Sequence, residues 1–285
     1  MSKLGIADFY KMKQEKKKIS MVTAYDYGMM SLIDQTDIDM VLVGDSAATV
    51  MFGLDSTVSV TMDAMINMCA MVSRAASNTY VVGDMPYMSY ELGIEKALDN
   101  AGRLMKEGFV DAVKLEGGTR IKNTIKALVD VGIPVMGHIG LTPQTASQLG
   151  GYKVQGKDFL MATQIIEDAF AVQEAGVFCV GLEAIPAPLA KIITESLNIP
   201  TIGIGAGVNC DGQVLILHDL LGMFDRFVPK FVKRYAELGQ EIREALNRFT
   251  EEVRSSSFPD KEHSYNMDKE VENKLTEYIK NRNGK

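Results

Sequence analysis

Tryptophan is absent from the 285 residues, and cysteine occurs only as Cys69, Cys179 and Cys210. An odd count with no C-x-x-C pair and no interleaved histidine argues against a disulfide framework or a thiolate metal site, and it fits a reducing compartment. Histidine is equally scarce, with His138, His218 and His263 too far apart to share ligand spacing. No run reaches the ~18 consecutive apolar residues of a membrane helix, and the lysine-bearing N-terminus lacks an apolar signal core. A cytoplasmic protein with no membrane partner is therefore expected. Positive charge is also in deficit, 30 Lys and Arg against 37 Asp and Glu for a net of −7, and the one lysine-rich cluster is Lys16, Lys17 and Lys18. That balance excludes nucleic acid as an expected partner.

The acid excess is concentrated in the middle. Residues 1–18 carry 6 basic and 2 acidic side chains and residues 233–285 carry 11 of each, which leaves 13 basic and 24 acidic in residues 19–232, a net of −11. Hydrophobic residues at 46% and charged residues at 24% belong to a globular chain able to bury a core, not to a disordered one. Methionine is abundant at 18, and Met62, Met65, Met68 and Met71 recur at close to one helical turn, the spacing of a packed helix face.

Short apolar segments return at intervals: 19–23, 39–43, 79–83, 111–115, 134–139, 177–182 and 200–204, with an eighth at 214–217. Between them lie helix-period stretches at 62–77, 93–107, 120–131, 158–175 and 187–197. Buried strands alternating with amphipathic helices predict a parallel sheet wrapped by helices. Eight such units match an α/β protein of the (β/α)₈ TIM barrel type, whereas Gly203-Ile-Gly-Ala-Gly207 lies at the seventh strand and lacks the later glycine of a dinucleotide fingerprint. A single barrel domain is expected over 1–266, and residues 267–285 read as a polar C-terminal extension, helical or frayed.

Polar residues interrupt this pattern at one kind of place. Asp45, Asp84, Glu116, His138 and Glu183 each sit at the carboxyl end of an expected strand, and in a (β/α)₈ barrel those ends form the rim that carries active sites. Strand alternation puts Lys114 on the same face as Glu116. One such acid alone is an ordinary helix N-cap. Three together, with one lysine, call for a cation, and all-oxygen donors select a hard divalent ion such as Mg²⁺. Asp45 and Asp84 are the expected direct ligands and Glu116 a third or water-mediated one. Glu183 stands apart, which suits either a general base or a structural ion pair; His138 is an orienting group or a hydrogen-bonded core residue.

The motifs containing these residues resemble the ketopantoate hydroxymethyltransferase family. They are Thr23-Ala-Tyr-Asp26, Val43-Gly-Asp-Ser46, Gly83-Asp-Met-Pro86, Val113-Lys-Leu-Glu-Gly-Gly118, Gly137-His-Ile-Gly-Leu-Thr-Pro-Gln144, Gly150-Gly-Tyr-Lys-Val-Gln-Gly156, Gly203-Ile-Gly-Ala-Gly207 and Cys210-Asp-Gly-Gln213. The resemblance runs from about Ile19 to Tyr265. It implies a (β/α)₈ barrel with Mg²⁺, a ketoacid substrate (3-methyl-2-oxobutanoate), 5,10-methylenetetrahydrofolate as co-substrate and a homodecamer. Carried over by position, it implies metal and ketoacid contacts at Asp45 and Asp84, a third metal-site acid at Glu116, ketoacid contacts at Ser46 and Lys114, and a proton acceptor at Glu183.

The sequence departs from the family pattern in the segment after the second strand. Ala47-Ala48 replaces a usual Leu-Gly, Ser59 replaces a usual proline, and Leu54 stands where a polar or aromatic residue is common. Two further readings accommodate the same residues: a Mg²⁺-dependent 2-oxo acid lyase or mutase, and a ketoacid-binding barrel without turnover.

Overall fold

The computed structural model describes residues 3–224 and 228–283. Eight parallel strands close in chain order: β1 (Ile19–Thr23), β2 (Met40–Val43), β3 (Tyr80–Asp84), β4 (Ala112–Glu116), β5 (Val135–Gly140), β6 (Cys179–Glu183), β7 (Thr201–Ile204) and β8 (Gly212–Leu215), with β8 pairing back onto β1. With helices between the strands, this is the expected (β/α)₈ TIM barrel. The chain divides into two compact units, Met1–Ala236 and Glu237–Lys285. The first holds the barrel, and the second holds helices Leu238–Arg254 and Lys269–Asn283. Residues 284–285 of the expected extension lie outside the described residues. Among the described residues, no helix is long and apolar enough to cross a membrane.

Strand ends differ from the expectation by about a residue, and the shift has a reason. Asp84, Glu116 and Glu183 are the last residues of their strands, not the first after them, because the ladder continues through them: Asp84 pairs with Lys114, Glu116 with His138 and Gly140 with Glu183. β8 ends at Leu215 because the chain turns into a short helix at Leu217, where the Leu217 N–H donates to Thr23 Oγ1 at 3.0 Å. Helix starts follow their capping residues. Thr61 accepts from Ala64 N–H ahead of Met62–Ala75, and Asp158 accepts from Met161 N–H ahead of Phe159–Ala175.

Two apolar layers position the site. The outer one lies between sheet and helices and contains Val43, Val81, Val113, Leu115, Val180 and Leu182, with Met65 and Met68 from the methionine face. The inner one contains Met21, Met40, Val82, Ala112, Met136, Cys179, Ile202 and Val214, and the N-terminal helix Ile6–Gln14 adds Phe9 and Met12. Phe9 packs edge-on against Tyr80 with ring centroids 5.3 Å apart. Since side chains alternate along a strand, the inner parity runs Tyr80-Val82-Asp84, Ala112-Lys114-Glu116 and Met136-His138. Each of these rows passes from an apolar floor to polar or charged groups at the mouth.

Gly140 links this geometry to Glu183. Its φ is +92°, and a Cβ there would lie 2.4 Å from the Glu183 carbonyl oxygen and 2.8 Å from Ile185 Cγ2. That carbonyl is already held by the Leu141 N–H at 2.9 Å. Gly140→Ala is expected to cost about 1–3 kcal/mol through backbone strain alone and to displace the β6 end. A thermal melt reads the first effect, and an activity loss larger than the lost folded fraction reads the second.

Candidate active site

Asp45, Asp84 and Glu116 converge at the mouth, each buried, with one carboxylate oxygen apiece lying within 4.8 Å of the others. β3 and β4 deliver Asp84 and Glu116 directly. Asp45 follows β2, and its backbone N–H donates to Asp84 Oδ2 at 3.2 Å. Lys114 is 4% exposed and reaches Asp84 Oδ1 at 2.8 Å, Asp84 Oδ2 at 2.9 Å and Glu116 Oε1 at 3.2 Å. Lys114 thus touches two of the three acids. Asp45 Oδ2 is buried with no hydrogen-bond partner.

The charges do not balance within the cluster. Burial, with Asp84 and Glu116 nearby, pushes the Asp45 carboxyl well above the ordinary carboxylate range. Burial also raises Asp84, against the pull of Lys114. Burial works against the Glu116 carboxylate too, but Lys114 and His138 outweigh it and hold its pKa at about 2. Desolvation disfavours the Lys114 ammonium, yet the three surrounding carboxylates raise its pKa well above the usual value. Three buried acids against one ammonium, with one carboxylate oxygen orphaned, is the donor set that a hard divalent cation completes. The residues present therefore fit Mg²⁺, with Asp45, Asp84 and Glu116 as the groups able to hold it.

His138 stands between the cluster and Glu183. Its Nδ1 is 3.3 Å from Glu116 Oε1 and its Nε2 is 3.1 Å from Glu183 Oε2. Burial and Lys114 oppose a charge on the ring, but the two carboxylates prevail and lift its pKa to about 9. The Glu183 side chain is 16% exposed against 1% for Glu116, and Asp45 and Asp84 are buried, so Glu183 is the most accessible of the four acids. The six residues Asp45, Asp84, Lys114, Glu116, His138 and Glu183 are thus brought together as one group. Ser46 joins it from the start of the short helix Ala47–Val50, and its Oγ lies 2.8 Å from the Tyr25 hydroxyl. Ala47 and Ala48, the departures from the usual Leu-Gly, form the first two positions of that helix and are both fully buried.

Three contributors carried no role in the sequence reading. Gln144 donates its backbone N–H to Glu116 Oε2 at 3.0 Å and its side-chain amide to the Met85 carbonyl at 3.0 Å. The Tyr90 hydroxyl lies 2.9 Å from Gln144 Oε1 and 3.2 Å from both the Glu116 N–H and carbonyl. Tyr25 is the third. Gln144 and Tyr25 were inside quoted motifs, and Tyr25 follows the apolar run 19–23 as Asp45 follows 39–43; that position is the signal that could have found it.

Relatives carry the same framework. Residues 3–261 match the ketopantoate hydroxymethyltransferase family. A 3-methyl-2-oxobutanoate hydroxymethyltransferase of Heliobacterium modesticaldum is 55% identical over 269 residues, covering 94% of this chain and 98% of its own. One from Pelobacter propionicus is 53% identical over 264 residues, covering 93% of this chain and 98% of its own. Among solved structures, phosphonopyruvate hydrolase superposes with a TM-score of 0.61 over 98% of this chain and 97% of that one at 10% identity, a likeness of fold. By the extent of the family match and the identity to these transferases over nearly their whole length, the chain belongs to the ketopantoate hydroxymethyltransferase family.

Proposed function

We propose that this chain transfers a hydroxymethyl group from 5,10-methylenetetrahydrofolate to 3-methyl-2-oxobutanoate, giving 2-dehydropantoate for pantothenate synthesis. The observation that carries the chemistry is the pairing of an undercompensated carboxylate trio (Asp45, Asp84, Glu116) with a separate, partly open carboxylate at Glu183. When held by that trio, Mg²⁺ supplies Lewis-acid polarisation of the ketone and offsets the negative charge that develops as C3 loses its proton. Ser46 and Lys114 bind the ketoacid, Ser46 by donating a hydrogen bond and Lys114 by its charge. Lys114 also holds Asp84 and Glu116 in place and favours their charged forms.

Glu183 takes the proton from C3. His138 Nε2 lies 3.1 Å from Glu183 Oε2 as an ion pair without hydrogen-bond alignment, which leaves the other oxygen to accept that proton. The C3–H electron pair becomes the nucleophile. Water opens both methylene–nitrogen bonds of the folate, its two protons going to the nitrogens to give tetrahydrofolate and its oxygen staying on the carbon as formaldehyde. The new C3–CH2 bond forms as the formaldehyde C=O π bond opens, and the resulting oxygen takes the proton held on Glu183. His138 orients the base and takes no proton from substrate in this scheme. A homodecamer and a cytoplasmic location belong to the same proposal.

Product assays test it. 2-Dehydropantoate is expected only when both Mg²⁺ and 5,10-methylenetetrahydrofolate accompany the ketoacid. Conversion of the ketoacid without folate would instead support the lyase or mutase reading, and binding of ketoacid with no chemistry under any condition would support a non-catalytic barrel.

A further inference from the structure

Ser46 begins the helix Ala47–Val50 at a position where serine ordinarily caps the backbone, yet its side chain caps nothing there. Its hydroxyl turns instead to Tyr25, 2.8 Å away. Tyr25 is 1% exposed, and burial above all keeps its phenol protonated, with Asp45 and Asp219 adding to the effect.

The direction of this contact follows from the two groups: a phenol is a far stronger acid than an aliphatic hydroxyl and its ring-conjugated oxygen the weaker acceptor, so the Tyr25 proton goes to Ser46 Oγ. The Ser46 proton is then the one left over, with an acceptor still to be found. Each hydroxyl that accepts becomes a better donor in turn. Were Tyr25 absent, Ser46 Oγ would be free to rotate and to accept as readily as donate, and it could revert to capping its own helix.

We propose that Tyr25 is a positioning residue for ketoacid binding: its buried hydroxyl holds Ser46 Oγ off the helix cap and sets it as a hydrogen-bond donor to an anionic substrate oxygen. The proposal rests on the assignment of Ser46 as a ketoacid contact. It makes Tyr25 a determinant of affinity for a carboxylate-bearing substrate, acting through Ser46 and touching neither the acid trio nor Glu183.

Steady-state kinetics on the full chain with Mg²⁺ and folate test it through Tyr25→Phe, Ser46→Ala and the double variant. Tyr25→Phe removes one oxygen and keeps the ring tilted against His218, whose centroid is 5.6 Å away. The expected result is a rise of about tenfold in the ketoacid KM, the scale of one lost hydrogen bond, with kcat within about twofold. Ser46→Ala should raise KM at least as much, and adding Tyr25→Phe to it should change nothing further, because the contact through which Tyr25 acts is already gone. A merely structural role for Tyr25 would lower the melting temperature and add its effect to that of Ser46→Ala. Multiplicative effects, or a fall in kcat at constant KM, would overturn the proposal. If Ser46→Ala raises KM but Tyr25→Phe does not, the proposal alone fails. If Ser46→Ala leaves KM unchanged, the assignment of Ser46 fails and the proposal with it.

Discussion

Glu183→Gln is expected to slow C3 proton exchange of 3-methyl-2-oxobutanoate by about 10²–10⁴-fold, the range of a lost general base, while Mg²⁺ and ketoacid affinities stay within a few fold. The separation of effects follows from placement. Glu183 ends β6, its only close ionic contact among the described residues is His138 Nε2, and the trio that fits a cation comes from the end of β2, from β3 and from β4. The amide keeps the shape of the side chain and removes its basicity. Exchange followed by NMR in deuterated water reads the first effect, and calorimetric titration reads the second. Loss of Mg²⁺ binding in Glu183→Gln would place Glu183 among the ligands. Retained exchange in Glu183→Gln, with exchange lost in His138→Asn, would move the base to His138.

Asp84→Asn should act on the other half of the site. Asp84 accepts Lys114 with both oxygens and the Asp45 N–H with one of them, so the substitution removes a candidate ligand and unsettles two neighbours. Removing even an outer-shell partner typically costs ~10–100-fold in metal affinity, so at least about a hundredfold is expected here. The stability readout is sharp. Mg²⁺ at 100 times its wild-type Kd should stabilise the wild type by about 2.7 kcal/mol, whereas a hundredfold weaker site gains only about 0.4 kcal/mol from the same concentration. Metal-free Asp84→Asn should lose less than the ~3–5 kcal/mol of a broken isolated pair. Glu116 still holds Lys114 at 3.2 Å, and one of three mutually repelling charges is gone. Equal Mg²⁺ shifts in the two proteins would remove Asp84 from the ligand set.

The barrel and the convergence of acids were legible because both rest on short-range periodicity. Strands buried on both faces read as uninterrupted apolar runs, and any acid at their ends stands out. Period-two alternation then sufficed to put Lys114 beside Glu116, and the structure adds that Lys114 reaches back to Asp84 on the neighbouring strand. The exact strand ends were less legible, because Asp84, Glu116 and Glu183 look like loop residues by composition and are strand residues by pairing. Tyr25, Tyr90 and Gln144 stayed silent for a different reason. Each acts by hydrogen bonds across segments distant in the chain, such as Tyr90 to Gln144, and hydroxyls and amides are common in loops with no such duty. The −11 of residues 19–232 likewise gave no location by itself; only the strand-end positions singled out four of its 24 acids.

The most direct measurement is the loss of the C3 proton signal of 3-methyl-2-oxobutanoate in deuterated water, followed with this protein in four mixtures: with and without Mg²⁺, and with and without tetrahydrofolate. Exchange that requires Mg²⁺ and proceeds without any folate is the predicted result, because proton removal by Glu183 precedes carbon transfer and needs only the acid trio and its cation. Exchange at an equal rate in the presence of a chelator, or none in any mixture, would contradict the assignment of the trio and the base.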